Sequence, residues 1–479
     1  MTRIILCSLL FGTLSIHSFA TVQKPNIILI LADDLGYGEL GCYGQEKIKT
    51  PCLDQMAKEG IRFTDFHSGA AICAPSRFTL ITGQHIGHAR SYGQGQHLKA
   101  DEVTLHTLCK QAGYATAAIG KWGLGKDPNN HGIDFWYGFI NQGYAHFYYP
   151  EYIWKNKERI KIPQNDRKYE FRVDGWYTGK QKNGGVYIHD EFTKEALQFI
   201  ERNKSKPFFL YLPYTVPHLE LVVPDDSVAP YKNKFPPRIF DAKKESPEAR
   251  KNRPVGGTKF YDGYGYCSSK NPRELYAGMI SRMDRDVGRI INKLKELGID
   301  ENTLIIFSSD NGPSWWSTGG CDRDFFKSAG PLSEGKRSFY EGGIRVPFIA
   351  RWPHKIKPGI TSDFPSYHPD VMPTIAELIN ATPSRPSDGV SLLPTLLQKG
   401  TQKKHAFMFW QHAVRIGKWK YITGGTGFHR KKGNGGKLYD MENDIAEKHD
   451  VSDQHPEIVE RMKKIKAENK LNPHKKKKH

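Results

Sequence analysis

The chain has 479 residues, with 70 Lys and Arg against 51 Asp and Glu and a formal net charge of +19. That length can bury a sizeable core, and its seven cysteines are too few for a fold held together by disulfides. The basic balance points to polyanionic partners, but there is no zinc-finger spacing and no aromatic platform motif, which argues against nucleic acid.

Met1 to Ala20 reads as a signal peptide, with Arg3 as the positive end, Ile4 to Ile16 as the apolar run and Ser18-Phe-Ala20 as the small-X-small cleavage site. No later stretch reaches about 18 apolar residues, so an exported chain without a transmembrane segment is expected, in a periplasm or beyond. Cleavage leaves Cys42, Cys52, Cys73, Cys109, Cys267 and Cys321; pairing of Cys42 with Cys52 is left open.

Pro25 to Ala32 is a continuous apolar strand signal that ends in Asp33-Asp34, and Thr303 to Ser309 repeats the pattern before Asp310-Asn311. Pro207 to Leu212 is a third such run, and Glu274 to Leu297 and Asp370 to Asn380 carry helical patterns. Unbroken apolar strands alternating with helices indicate a mostly parallel sheet covered on both faces, with active groups gathered beyond the strands' C-terminal ends. Both acidic pairs fall there. Their donors are all oxygen, which suits Ca²⁺ or Mg²⁺ and disfavours zinc.

Between these strands lies Gly69 to Gly83, in which Cys73 precedes a proline and a short helical pattern, with Arg77 four residues on. If Cys73 opens that helix, the unpaired N–H groups and the arginine form an anion-holding environment around it. Farther along come Gly120-Lys121-Trp122-Gly123, the aromatic-dense run Tyr144 to Trp154, Thr215-Val-Pro-His218, and Gly335-Lys336 leading to Glu341-Gly-Gly-Ile-Arg345. From about His405, short aromatic strands broken by glycines and a helix near Pro456 to Lys466 indicate a small antiparallel sheet with a packed helix. The Gly-rich stretch Gly424 to Gly436 reads as a hairpin or loop connection, because it lacks the lysine-serine ending of a phosphate loop.

Cys-X-Pro-Ser-Arg at residues 73–77, together with the four further motifs in the same order, resembles the formylglycine-dependent sulfatases of the alkaline-phosphatase-like superfamily. The Gly120 and Tyr144 segments resemble bacterial polysaccharide sulfatases more than vertebrate lysosomal ones. The resemblance implies a large mixed, mostly parallel sheet sandwiched by helices (residues 21–400), a smaller C-terminal α+β part (401–470) and a basic tail (471–479). It implies that a maturation enzyme oxidises Cys73 to an aldehyde whose hydrate is the nucleophile, supported by Arg77. Metal ligands would be Asp33, Asp34, residue 73, Asp310 and Asn311, holding Ca²⁺ or Mg²⁺. Lys121 and Lys336 would bind the sulfate, His218 would be a further sulfate ligand, and His218 or Lys336 would protonate the leaving oxygen. Glu341 and Arg345 read as structural.

The family often has a histidine where this chain has Gly123, and glycine transfers no proton. Either another histidine replaces it, with His85, His88 and His146 as candidates and His146 preferred, or the acidity of a metal-bound hydroxyl suffices, or the enzyme is slow or inactive. His85, His88, Arg90, Tyr144 and His146 are also candidate sugar contacts, although the aromatic run reads equally well as a packed core corner. The implied substrate is a sulfate monoester on a galactose-based glycan. Two rival readings are a phosphomonoesterase or phosphonate hydrolase of the same superfamily, and a catalytically silent protein that binds sulfated glycans.

Overall fold

The structure, a computed structural model, describes residues 24–89, 97–165, 170–173, 176–181, 185–245, 268–423 and 436–469. The expected signal peptide, the basic tail, Arg90, Cys267 and residues 424–435 of the Gly-rich stretch lie outside them.

A ten-stranded sheet forms the centre. From one edge its strands run Ile360–Ser362, Ile61–Phe63, Phe348–Arg351, Thr303–Ser309, Asn26–Ala32, Phe208–Pro213, Ala115–Lys121, Phe135–Phe139, Tyr152–Lys155 and Glu158–Lys161. The five strands from Thr303–Ser309 to Phe135–Phe139 are mutually parallel, and antiparallel pairings flank them on both sides. Strand Asn26–Ala32 shows why its sequence is unbroken in apolar character. Ile28 and Ile30 face one core with Leu53, Phe192 and Ile280, while Ile27, Leu29 and Leu31 face another with Phe78, Leu105 and Val371. With both faces covered by helices, neither set of alternate side chains meets water.

Helix Pro272–Glu296 starts with proline at its first position and buries Leu275, Met279, Met283, Val287, Ile290 and Leu294, the spacing of one helical face. Strands Met408–Trp410, Ala413–Ile416, Trp419–Thr423 and Gly436–Asp440 form a second, antiparallel sheet in chain order, followed by helix Pro456–Glu468. Val414, Tyr421, Leu438 and Met462 belong to the same apolar cluster as Phe78 and Phe348, so this sheet packs directly on the large one. Cys42 and Cys52 are both free thiols; their pairing does not form, and Cys52 Sγ lies instead against Gly288. Among the described residues no helix is long and apolar enough to cross a membrane.

Candidate active site

The C-terminal ends of four adjacent parallel strands deliver the site. Asp33 and Asp34 follow Asn26–Ala32, Asp310 and Asn311 follow Thr303–Ser309, Lys121 closes Ala115–Lys121, and His218 follows Phe208–Pro213. Backbone register pins the two acidic pairs together: Asp310 N donates to Ala32 O at 3.1 Å, Asp34 N to Asp310 Oδ1 at 3.0 Å, and Asn311 Nδ2 to Asp34 Oδ1 at 2.8 Å. Asp34 adopts the left-handed region at φ 66°, a conformation uncommon outside glycine that here turns its carboxylate into the cluster.

Cys73 is the first residue of helix Cys73–Thr82, whose start carries no side-chain cap. Arg77, one turn on and fully buried, donates through Nε and Nη2 to Asp310 Oδ2 at 2.9 and 2.8 Å and through Nη1 to Lys121 O at 2.7 Å. Lys121 Nζ reaches Asp33 Oδ2 at 2.6 Å, and Lys336 Nζ reaches Asp34 Oδ2 at 2.7 Å. His218 Nδ1 faces the carbonyl of Leu219 at 2.6 Å and so carries the hydrogen there, which leaves Nε2 to accept from Lys336 Nζ at 3.0 Å. Burial, with Lys336 adding to it, holds the His218 imidazole well below its usual range, hence neutral.

Three buried carboxylates, Asp33, Asp34 and Asp310, thus meet three cations, Arg77, Lys121 and Lys336. Burial works to raise the Asp33 carboxyl, but the charges of Lys121, Arg77 and Lys336 outweigh it and keep it below the usual carboxylate range. Burial and the neighbouring Asp33 instead push Asp310 up to about 7, against Arg77. A divalent cation relieves that crowding, and the donors fit one. Asp33 Oδ1 and Asn311 Oδ1 are buried without a hydrogen-bond partner among the described residues. The ligand atoms of Asp33, Cys73 and Asp310 lie within 4.8 Å of one another, and so do those of Asp33, Asp34 and His218. Oxygen-rich, compact and anionic, the set suits a hard cation.

This constellation has known counterparts. The sulfatase family model matches residues 25–381, and the model for the C-terminal part of N-sulphoglucosamine sulphohydrolase matches residues 334–472. The chain belongs to the sulfatase family. It is 30% identical to an N-acetylgalactosamine-6-O-sulfatase of Bacteroides thetaiotaomicron, over 92% of each chain. It is 31% identical to the human N-acetylgalactosamine-6-sulfatase, over 81% of this chain and 68% of the relative. Among solved structures, Ps i-CgsB in complex with k-i-k-neocarrahexaose superposes with a TM-score of 0.71 at 28% identity, covering 94% of each chain. Membership makes this chain a sulfuric ester hydrolase.

The proposed sugar contacts of this sulfatase divide. His146 joins the site, its ring stacked on His218 at 4.0 Å between centroids. His85 and His88 do not approach residue 73: they follow the far end of helix Cys73–Thr82, roughly 14 Å along its axis from Cys73, and both turn to Asp388. His85 is buried against Phe409, and burial pulls its imidazole down to about 4. Tyr144 is also corrected. Its ring is 5% exposed, stacked on Tyr152 at 4.5 Å and edge-on to Phe139 and Phe147, so it is a core corner and not a sugar platform.

The sequence reading missed Gln142. Its Nε2 donates to Cys73 Sγ at 2.7 Å. Gln142 follows strand Phe135–Phe139, the parallel neighbour of Ala115–Lys121, so the rule that found the acidic pairs could have found it too. Gly123 has φ +70°, and a Cβ there would meet Arg77 Cδ at 3.7 Å and Gln142 Oε1 at 3.8 Å. The space beside the missing side chain is therefore bordered by a glutamine amide, which hydrogen-bonds but does not carry a proton.

Proposed function

We propose that this sulfatase hydrolyses a sulfate monoester on a galactose-configured glycan, with residue 73 as nucleophile after oxidation of its cysteine to formylglycine. The observation that carries the reading is the placement of Cys73 Sγ within 4.8 Å of the ligand oxygens of Asp33 and Asp310, at an uncapped helix start. N-acetylgalactosamine, named for two of the relatives, supports the sugar. Met1 to Ala20 supports export, where a maturation enzyme would act on the chain before or during its passage.

Asp33, Asp34, Asp310 and Asn311 would hold Ca²⁺, or Mg²⁺, whose charge polarises the sulfate and acidifies an adjacent hydroxyl. A hydrated aldehyde supplies two hydroxyls on one carbon, one to attack sulfur and one to expel sulfate afterwards. Lys121 and Lys336 neutralise charge that grows on the sulfuryl oxygens, already aimed by their contacts to Asp33 and Asp34. Lys336 is also the group placed to protonate the departing sugar oxygen, since His218 Nε2 accepts one of its hydrogens and orients its ammonium. Arg77 keeps Asp310 and the end of the Lys121 strand in register. Gln142 orients the oxygen of residue 73 that is not attacking.

Two measurements test this. Peptide mass of residue 73 from protein matured in its own host should show the aldehyde in place of the thiol. Cys73→Ser should fold and release at most one product equivalent per chain, because a serine sulfate ester has no second hydroxyl with which to expel sulfate. Sustained turnover with residue 73 as serine or unmodified cysteine overturns the reading.

A further inference from the structure

Outside the charged cluster, but touching it, is a cleft of about 770 Å³, within the size range of ligand sites. Gly123 and Gln142 line its inner end, so the cleft opens toward Cys73 where position 123 has no side chain. Trp154 forms one wall, partly exposed on strand Tyr152–Lys155 and opposite Gly138 of the neighbouring strand. Tyr152, also in the wall, has both faces covered, one by Tyr144 and the other by the Arg159 guanidinium at 3.5 Å. Trp154 is thus the aromatic face on offer.

Two asparagines complete a polar fork. Asn129 Nδ2 donates to Asn156 Oδ1 at 3.1 Å, and that oxygen also accepts from Trp136 N at 2.9 Å. Among the described contacts, Asn129 Oδ1 and Asn156 Nδ2 remain, one acceptor and one donor, the pair that recognises vicinal hydroxyls. Lys126 and Lys157 stand exposed at the rim and form no ion pair among the described residues, against the single carboxylate of Asp127. An aromatic face, a donor–acceptor fork and two unpaired cations describe the complement of an acidic sugar ring.

We propose that this cleft binds an acidic sugar linked to the sulfated one, stacked on Trp154 and anchored by Lys126 and Lys157, and that Gly123 leaves the passage from it to residue 73 open. The substrate is then an anionic oligosaccharide and not an isolated sulfated monosaccharide. This deepens the sulfatase reading above and rests on it.

The test uses the full chain carrying Cys73→Ser, so that binding is read without turnover, and a 6-O-sulfated galactosamine–uronate tetrasaccharide as probe in titration calorimetry. Adding Trp154→Ala should raise Kd about tenfold. Adding Lys126→Glu with Lys157→Glu should raise it by a similar factor at low salt and by much less at high salt; these surface changes guard against a Trp154 variant that fails to fold. In the otherwise wild-type enzyme the lysine variants should raise KM for the tetrasaccharide with kcat held within about twofold. Affinity unchanged in all variants, or a fall in kcat with KM unmoved, overturns the cleft while sulfate release still upholds the sulfatase reading. Tight, Trp154-dependent binding with no sulfate released from any variant sinks that reading and leaves the cleft standing.

Discussion

Two buried ionic clusters among the described residues have equal charge count, and they are built to opposite ends. Around residue 73, Asp33, Asp34 and Asp310 face Arg77, Lys121 and Lys336, with two buried oxygens, Asp33 Oδ1 and Asn311 Oδ1, left open. Between the two sheets, Asp65, Glu341 and Glu447 face Arg345, Arg415 and Lys420, with His67 in the same group. There both Glu341 oxygens are taken, Oε1 by Lys420 at 2.6 Å and Oε2 by His67 at 2.9 Å and Arg345 at 3.1 Å. Arg415 grips Asp65 with two bonds of 2.8 and 2.7 Å. The second cluster is more nearly closed: among the described residues only Glu447 Oε1 lacks a hydrogen-bond partner, and it still lies 2.8 Å from Lys420 Nζ; the cluster fastens the C-terminal sheet to the large one. The first keeps acceptor capacity in reserve, which costs stability and suits a cation.

That contrast can be broken most directly by removing one acid from each. Glu341→Gln leaves Lys420 with Glu447 alone and removes the charge that His67 and Arg345 meet, and should cost about 3–5 kcal/mol of stability, the usual loss when one partner of a buried pair is removed. Asp310→Asn relieves repulsion from Asp33 and should cost far less in calcium-free protein, while abolishing the rise in melting temperature that added Ca²⁺ is expected to give the wild type. Paired thermal melts with and without Ca²⁺ check both, and equal losses in the two variants would erase the distinction.

The lysines sharpen the comparison at the level of rate. Lys121→Ala and Lys336→Ala should each lower kcat/KM on a sulfate ester by the equivalent of about 2–4 kcal/mol, as for other preorganised charge-stabilising groups. A loss below about 1 kcal/mol with the fold intact would place them with ordinary buried ion pairs.

The smallest effect is a pH dependence from the second cluster. Burial pushes Glu447 from its ordinary 4.5 up to about 7, with Glu341 adding to the rise and Lys420 opposing it. The folded chain therefore holds a proton that the unfolded chain has released between those values. The stability linked to it is complete below pH 4.5 and is lost as pH rises toward 7. Glu447→Gln should flatten the melting temperature across that window by a change worth about 1–3 kcal/mol. A wild-type profile already flat there would refute the assignment.

Much of this was legible without coordinates, for a reason visible in particular residues. Asp33-Asp34, Asp310-Asn311, Cys73 with Arg77, and Lys121 each sit in a short contiguous motif at a strand end or helix start, where backbone geometry aims the side chain, and Lys336 sits in a turn just before Glu341–Ile344. The apolar runs before the acidic pairs determined the parallel strands, because a strand buried on both faces has no polar alternation. Tertiary structure decided what sequence separation hides. Gln142 reaches Cys73 across 69 residues and Arg415 reaches Asp65 across 350, and neither carries a local signature of its partner. It also decided that His85 and His88, close to Cys73 in sequence, are held apart from it by a rigid helix, and that Tyr144 turns inward while Trp154 on the next strand does not. Short-range backbone geometry determined which groups are chemically equipped. Only long-range packing decided which of them meet.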